Sequence, residues 1–259
     1  MSTSPIAARF AHLAAQGRRA LVCYVTAGHP DRSRSLALLR GLEAAGADII
    51  EVGVPFSDPL ADGPVIQGSS QIAIEQGMTL ESTLALIAEA GVRVPLVLFS
   101  YLNPIIAGGA DVLQRAKAAG VHGVLITDLP VGADPAREAW FGASGLDFVR
   151  LVAPTTPAPR MAEISAHGGG FVYLISRLGV TGEQDTLAAE LPATVARLRA
   201  ATTLPICIGF GISTPEQAAA VARLGDGVVV GSAIVRAAER SVDEAVALAA
   251  ALRAAIDAA

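Results

Sequence analysis

Lysine is all but missing from this sequence: among 259 residues only Lys117 is one. Carbon-carbon lyases of the Schiff-base type need an activated lysine on or near a strand end, whereas Lys117 stands in the helical pattern VLQRAKAAG and suits a solvated helix face. That reaction class is excluded. Histidine is scarce too, with His12, His29, His122 and His167 scattered at no ligand spacing, so metal-dependent cleavage is poorly served. The two cysteines, Cys23 and Cys207, each fall inside a short apolar run and read as small buried hydrophobes. No run of Lys or Arg offsets the net charge of -5, which argues against a nucleic-acid surface and leaves room for a small anion at one local positive site. No apolar run reaches the roughly 20 residues of a spanning helix, and the opening MSTSPIAARFAHLAAQGRRALVCYV has no charged-then-apolar leader. A cytoplasmic protein that enters no membrane is expected.

What is present in quantity is apolar residue, 52% of the chain, and it returns in one repeating order. An alanine-rich amphipathic stretch ends on glycine, an apolar run follows, and a polar turn closes the unit. The runs are ALVCYVT (20 to 26), DIIEVGV (48 to 54), VPLVLFS (94 to 100), HGVLITD (122 to 128), DFVRLVA (147 to 153), FVYLIS (171 to 176), LPICIGF (204 to 210) and DGVVVGS (226 to 232). They are apolar on consecutive positions, as parallel strands covered on both faces are. Helical patterns lie between them, at 31 to 46, 81 to 91, 109 to 120, 157 to 168, 214 to 225 and 241 to 256, several opening on Ser, Thr or Asp and closing on Gly. This alternation predicts an α/β fold, a single (β/α)8 TIM barrel over residues 1 to 259, with an extra helix across 4 to 16 and a short helix after the eighth strand. An open doubly wound sheet is the competitor, and the turn after the first strand, TAGHPDRS, lacks the glycine pattern a dinucleotide would need.

In such barrels the strand-to-helix loops form the working face. EVGVPFSDPLADGPVIQ (51 to 67) puts Glu51 late in the second strand and Asp58 and Asp62 in the loop that follows. Turn chemistry accounts for Asp58 as well as function does, since Asp before Pro or Gly forms turns. It does not account for Glu51, a carboxylate among aliphatics. Glycine-rich segments follow the sixth, seventh and eighth strands: SRLGVTGEQD, GFGIS and GSAIV. Loops and a helix N-terminus at those positions make a phosphate site from free backbone N-H groups. Gly182, Gly211, Gly231 and Ser232 are assigned to it, with Phe210 inside GFGIS.

EVGVPFSDPLADGPVIQ, YVTAGHPD, YLNPI, LITDLPV, YLISRLGVTG, GFGIS and GSAIV, in this order at successive strand ends, resemble the tryptophan synthase α subunit family over nearly the whole chain. The resemblance implies cleavage of indole-3-glycerol phosphate to indole and glyceraldehyde 3-phosphate with no cofactor in this chain. It also implies a β subunit carrying pyridoxal phosphate, in an α2β2 tetramer. Glu51, its pKa raised by the apolar strand, would give a proton to the indole C3 and take one from the adjacent hydroxyl. Asp62, ionised, would accept from the indole N-H. Tyr173 would position Glu51, and Thr181, in a loop that closes over substrate, would touch Asp62; Arg177 either helps order that loop or is solvated. Tyr24, Phe99, Ile126 and Leu151 either wall the indole or simply pack the barrel. Asp58, Pro59, Asn103 and Pro104 would face the partner. His29 departs mildly from the acidic or aromatic residue expected in TAGxP, with no catalytic consequence. The alternatives are a free-standing indole-3-glycerol phosphate lyase, a barrel kept only to activate a β subunit, and an unrelated phosphosugar protein on the same fold.

Overall fold

The computed structural model describes residues 4–175, 184–209 and 211–259. They form a closed parallel barrel in which every strand pairs with its sequence neighbours and the eighth returns to the first. In chain order the elements are α1 (Pro5–Ala15), β1 (Ala20–Thr26), α2 (Arg32–Ala44), β2 (Ile49–Gly53), α3 (Pro64–Glu75), α4 (Leu80–Ala90), β3 (Leu96–Ser100), α5 (Leu102–Ala107), α6 (Val112–Ala118), β4 (Val121–Ile126), α7 (Pro135–Ala143), β5 (Asp147–Val152), α8 (Ala158–Ala166), β6 (Val172–Ile175), α9 (Gln184–Ala201), β7 (Ile206–Gly209), α10 (Pro215–Ala222), β8 (Gly227–Val230), α11 (Ser232–Arg240) and α12 (Val242–Asp257). Seven of the eight apolar runs read from the sequence contain one strand each, and β4 begins one residue before its run. The helix expected across 4 to 16 is α1, and the short helix expected after the eighth strand is α11.

Because side chains alternate across a strand, each strand feeds two apolar layers. One face of each strand, with Val52, Val124, Val152 and Ile208 among its residues, packs under the helices. The other fills the barrel: Val22, Ile49, Val97, Leu125, Val149, Tyr173, Cys207 and Val229. Helix α1 joins the interior layer, with Ile6, Phe10 and Leu13 buried and the Phe10 ring 5.8 Å from that of Phe171. It thereby closes the N-terminal end of the barrel and leaves the opposite end for a site.

That closed end is also held by buried charge. Asp48 accepts from the Leu21 N-H at 2.9 Å and from Arg253 at 2.8 Å, and Arg253 reaches the Arg19 carbonyl at 2.9 Å. Both side chains are under 10% exposed, so this pair fastens α12 to β1 and β2, and removing one partner would strand the other at a cost of about 3–5 kcal/mol. Among the described residues no helix is long and apolar enough to cross a membrane.

Candidate active site

Glu51 stands third in β2, where every residue is buried. Ile49 before it belongs to the interior layer, while Ile50 and Val52 face the helices, so alternation turns Glu51 into the barrel. It is 1% exposed, and among the described residues nothing hydrogen-bonds its Oε1. Burial alone pushes its pKa up to about 8. Near neutral pH it is therefore a buried, protonated acid. Its lateral neighbours are Tyr24 on β1 and Val97 on β3. Tyr173 on β6 is buried and feels the charge of Glu51, so that burial first and Glu51 second push its phenol pKa well up.

Glycine makes room for these tyrosines at the mouth. A Cβ on Gly53 would lie 2.1 Å from the Tyr24 hydroxyl oxygen, and one on Gly209 would lie 2.5 Å from that of Tyr173. The Tyr24 ring also passes over Gly231, where a Cβ would sit 3.4 Å from the tyrosine's own Cβ. Tyr24 meets Phe99 edge to face at 5.1 Å, and Ile66 and Val235 complete this apolar corner. Leu151 packs against the barrel interior.

Ile126 requires a correction. It belongs to the layer under the helices, and Leu125 is the interior residue of β4. Strand β4 is apolar on both faces, so nothing in its sequence marks which alternation faces inward, and a one-residue error changes the face.

Asp62 lies at the end of the loop after β2, just before Gly63, the N-cap of α3. It is half-buried. Burial pushes its pKa up, and a hydrogen bond from Tyr101 opposes that rise. The Tyr101 hydroxyl donates to Asp62 Oδ2 at 3.0 Å and accepts from the Ala61 N-H at 2.9 Å, while Gln67 Nε2 donates to the Asp62 carbonyl at 2.9 Å. Neither Tyr101 nor Gln67 was singled out from the sequence. The available signal was that all three tyrosines, Tyr24, Tyr101 and Tyr173, stand in or directly after apolar runs.

After β8, which pairs with β1, Gly231 is the N-cap of α11 with no side-chain cap, and Ser232 is the first helical residue. The first N-H groups of a helix have no internal acceptor and favour an anion. Gly211, after β7, adopts the left-handed φ of +82°, which suits glycine. Thr181, Gly182, Phe210 and Arg177 lie outside the described residues. Asp58 and Asn103 are exposed and Pro59 and Pro104 half-buried. Beside them stand two exposed large apolar side chains, Leu60 at 86% and Ile106 at 39%. Among the described residues no group of three or more His, Cys, Asp or Glu is placed to hold a metal ion.

Residues 10–258 match the family model described as tryptophan synthase alpha chain. The tryptophan synthase alpha chain of Phenylobacterium zucineum is 48% identical over 248 residues, covering 94% of this chain and 89% of that one. That of Desulfatibacillum aliphaticivorans is 46% identical over 237 residues, covering 90% and 89%. Among solved structures, tryptophan synthase subunit alpha of Legionella pneumophila superposes with a TM-score of 0.91 at 33% identity over the whole of both chains. A tryptophan synthase structure from M. tuberculosis superposes at 0.88 with 33% identity, covering 98% of this chain and 99% of that one.

Proposed function

The chain belongs to the tryptophan synthase alpha chain family, and on that premise we propose that Glu51 and Asp62 divide its reaction between them, one moving protons and the other standing as a fixed anion. The reaction is a carbon-carbon lyase step in tryptophan biosynthesis, the cleavage of indole-3-glycerol phosphate to indole and glyceraldehyde 3-phosphate. A free-standing lyase is not favoured, because the relatives are tryptophan synthase alpha chains.

The bond to be broken joins indole C3 to the first carbon of the glycerol chain. Protonating C3 gives an indolenine; taking the proton from the adjacent hydroxyl then forms the aldehyde, breaks the carbon-carbon bond and returns its electrons to the ring. One proton goes in and one comes out, so a single group can do both and end as it began. Glu51 is suited to this because it starts protonated, with a pKa near 8, and a carboxylate formed in that apolar setting is a stronger base than one in water. Positive charge reaches the ring nitrogen in the indolenine. Asp62, ionised, accepts the ring N-H and stabilises that charge in the transition state.

Tyr173 bounds the space beside Glu51, and Tyr24, Phe99, Leu125 and Leu151 offer the apolar walls a flat ring needs. The phosphate goes to the rim after β7 and β8, on Gly211 and the N-terminus of α11 at Gly231 and Ser232, with Gly182 and Phe210 completing it. Thr181 closes over the substrate toward Asp62. None of these steps asks for a metal or cofactor in this chain; pyridoxal phosphate belongs to the β subunit. The partner surface is the edge carrying Asp58, Pro59, Asn103 and Pro104, supported by the exposed Leu60 and Ile106, in an α2β2 assembly working in the cytoplasm.

The observation that carries this reading is Glu51, buried, turned into the barrel and without a described partner for Oε1. The test is indole release from indole-3-glycerol phosphate by wild type, Glu51→Gln and Asp62→Asn, each alone and with a β subunit. Wild type is expected to be slow alone and faster with the partner, and each variant to lose on the order of 10²-fold or more in kcat. Wild-type activity in Glu51→Gln would refute the assignment.

A further inference from the structure

Tyr101 is 4% exposed and serves as the N-cap of α5. Its ring lies against Phe56 at a centroid distance of 5.0 Å, so the phenol cannot swing away without unpacking the loop after β2. Its oxygen is engaged by the Ala61 N-H and by the Thr127 side chain, which leaves the hydroxyl proton directed at Asp62 Oδ2. No described group hydrogen-bonds Asp62 Oδ1. We propose that Tyr101 is a positioning residue for the cleavage: by tying down Oδ2 it sets the plane of the Asp62 carboxylate and presents Oδ1 to the substrate ring N-H.

This rests on the role given to Asp62 above. The described titratable groups facing Asp62 are Tyr101 on the loop after β3 and Tyr24 on β1, with Glu51 on β2, the strand that leads into the Asp62 loop; the Tyr24 phenol feels both carboxylates. No described arginine, lysine or histidine acts on Asp62. The Tyr101 hydrogen bond is thus the one described interaction that favours the anion over the acid, and burial works the other way. A donor that both orients and ionises a carboxylate acts on turnover more than on substrate capture, because the charge it supports is needed when the ring becomes cationic.

Tyr101→Phe keeps the ring against Phe56 and deletes only the hydroxyl. The test compares wild type, Tyr101→Phe and Asp62→Asn as full-length chains with a β subunit, measuring kcat and KM for indole-3-glycerol phosphate from pH 5 to 9 together with thermal melts. For Tyr101→Phe, kcat is expected to fall about tenfold near neutral pH with KM within about twofold. The acid limb of kcat/KM is expected to move up by about one pH unit, since a charge-assisted hydrogen bond to the ionised form is lost. Asp62→Asn should remove that limb altogether. Wild-type kcat and an unmoved limb in Tyr101→Phe overturn the proposal, and so does a fall in kcat that comes with an unmoved limb and a lowered melting temperature, which marks a packing role. If Asp62→Asn itself retains wild-type activity and its acid limb, the failure lies in the assignment of Asp62.

Discussion

Replacing the principal acid by its amide should make the protein more stable, and by an amount that depends on pH. Glu51 has an ordinary carboxyl pKa near 4.5 in the unfolded chain and about 8 in the folded one, with burial as the cause. Between those values the unfolded chain carries the charge and the folded protein holds the proton. Folding therefore takes up a proton, and stability falls as pH rises, at about 1.4 kcal/mol per pH unit for one group. The contribution is fully favourable below about pH 4.5 and is lost by about pH 8; over that whole rise it amounts to roughly 5 kcal/mol. Glu51→Gln has no proton to take up at this position. Its amide meets the same unpartnered surroundings at every pH, so it adds a constant offset and no slope. The assay is urea unfolding of both proteins at pH 5, 6, 7 and 8, followed by circular dichroism, with the difference in unfolding free energy plotted against pH. The difference should grow by about 1.4 kcal/mol per unit in favour of the variant over this range, while indole release is lost. Parallel stability curves for the two proteins would refute the reasoning, for they would mean that Glu51 is already ionised in the folded state.

Two further outcomes are expected. Gly53→Ala places a methyl 2.1 Å from the Tyr24 hydroxyl oxygen, and Tyr24 is already pinned against Phe99 and Gly231; the ring must shift into the mouth, so KM for indole-3-glycerol phosphate should rise at least several-fold while the Glu51-dependent slope of stability with pH persists. Leu60→Asp changes a side chain that is 86% exposed, so the melting temperature should stay within about 2 °C of wild type, as surface changes usually do, while affinity for the β subunit, read by titration calorimetry, drops about tenfold or more through loss of an apolar anchor.

How much of this was legible in the sequence depended on how far apart the interacting residues lie. The strands were legible because each is a largely apolar run bounded by turn residues, and α2, α10 and α12 because each opens on a side-chain cap, Asp31, Thr214 or Ser241. Helix α3 opens on Gly63 with no side-chain cap, and the sequence offers no such mark there. Glu51 was legible as a lone charge in an aliphatic run. The facing direction of β4 was not, because burial on both sides erases the alternation that would have separated Leu125 from Ile126. Contacts between residues far apart in the chain were invisible for a different reason: Asp48 with Arg253, and Asp62 with Tyr101, are brought together only by closure of the barrel.

That last pair bears on the chemistry more than the others do. Two carboxylates sit on one strand and the loop that follows it, and residue type alone gives them ordinary pKa values less than one unit apart, 4.5 and 3.8. Their difference comes from what surrounds them. Glu51 has burial and no described donor on Oε1, so it keeps a proton that it can give and take back. Asp62 has partial burial and a phenol aimed at Oδ2, which favours the charged form. Moving a hydrogen-bond donor from one to the other would exchange the tendencies, in the same way that environment assigns acid and base among paired carboxylates generally. The sequence could therefore name both carboxylates, while the division of labour proposed for them turns on Tyr101, forty positions along the chain from Ala61 and bonded to both that amide and Asp62.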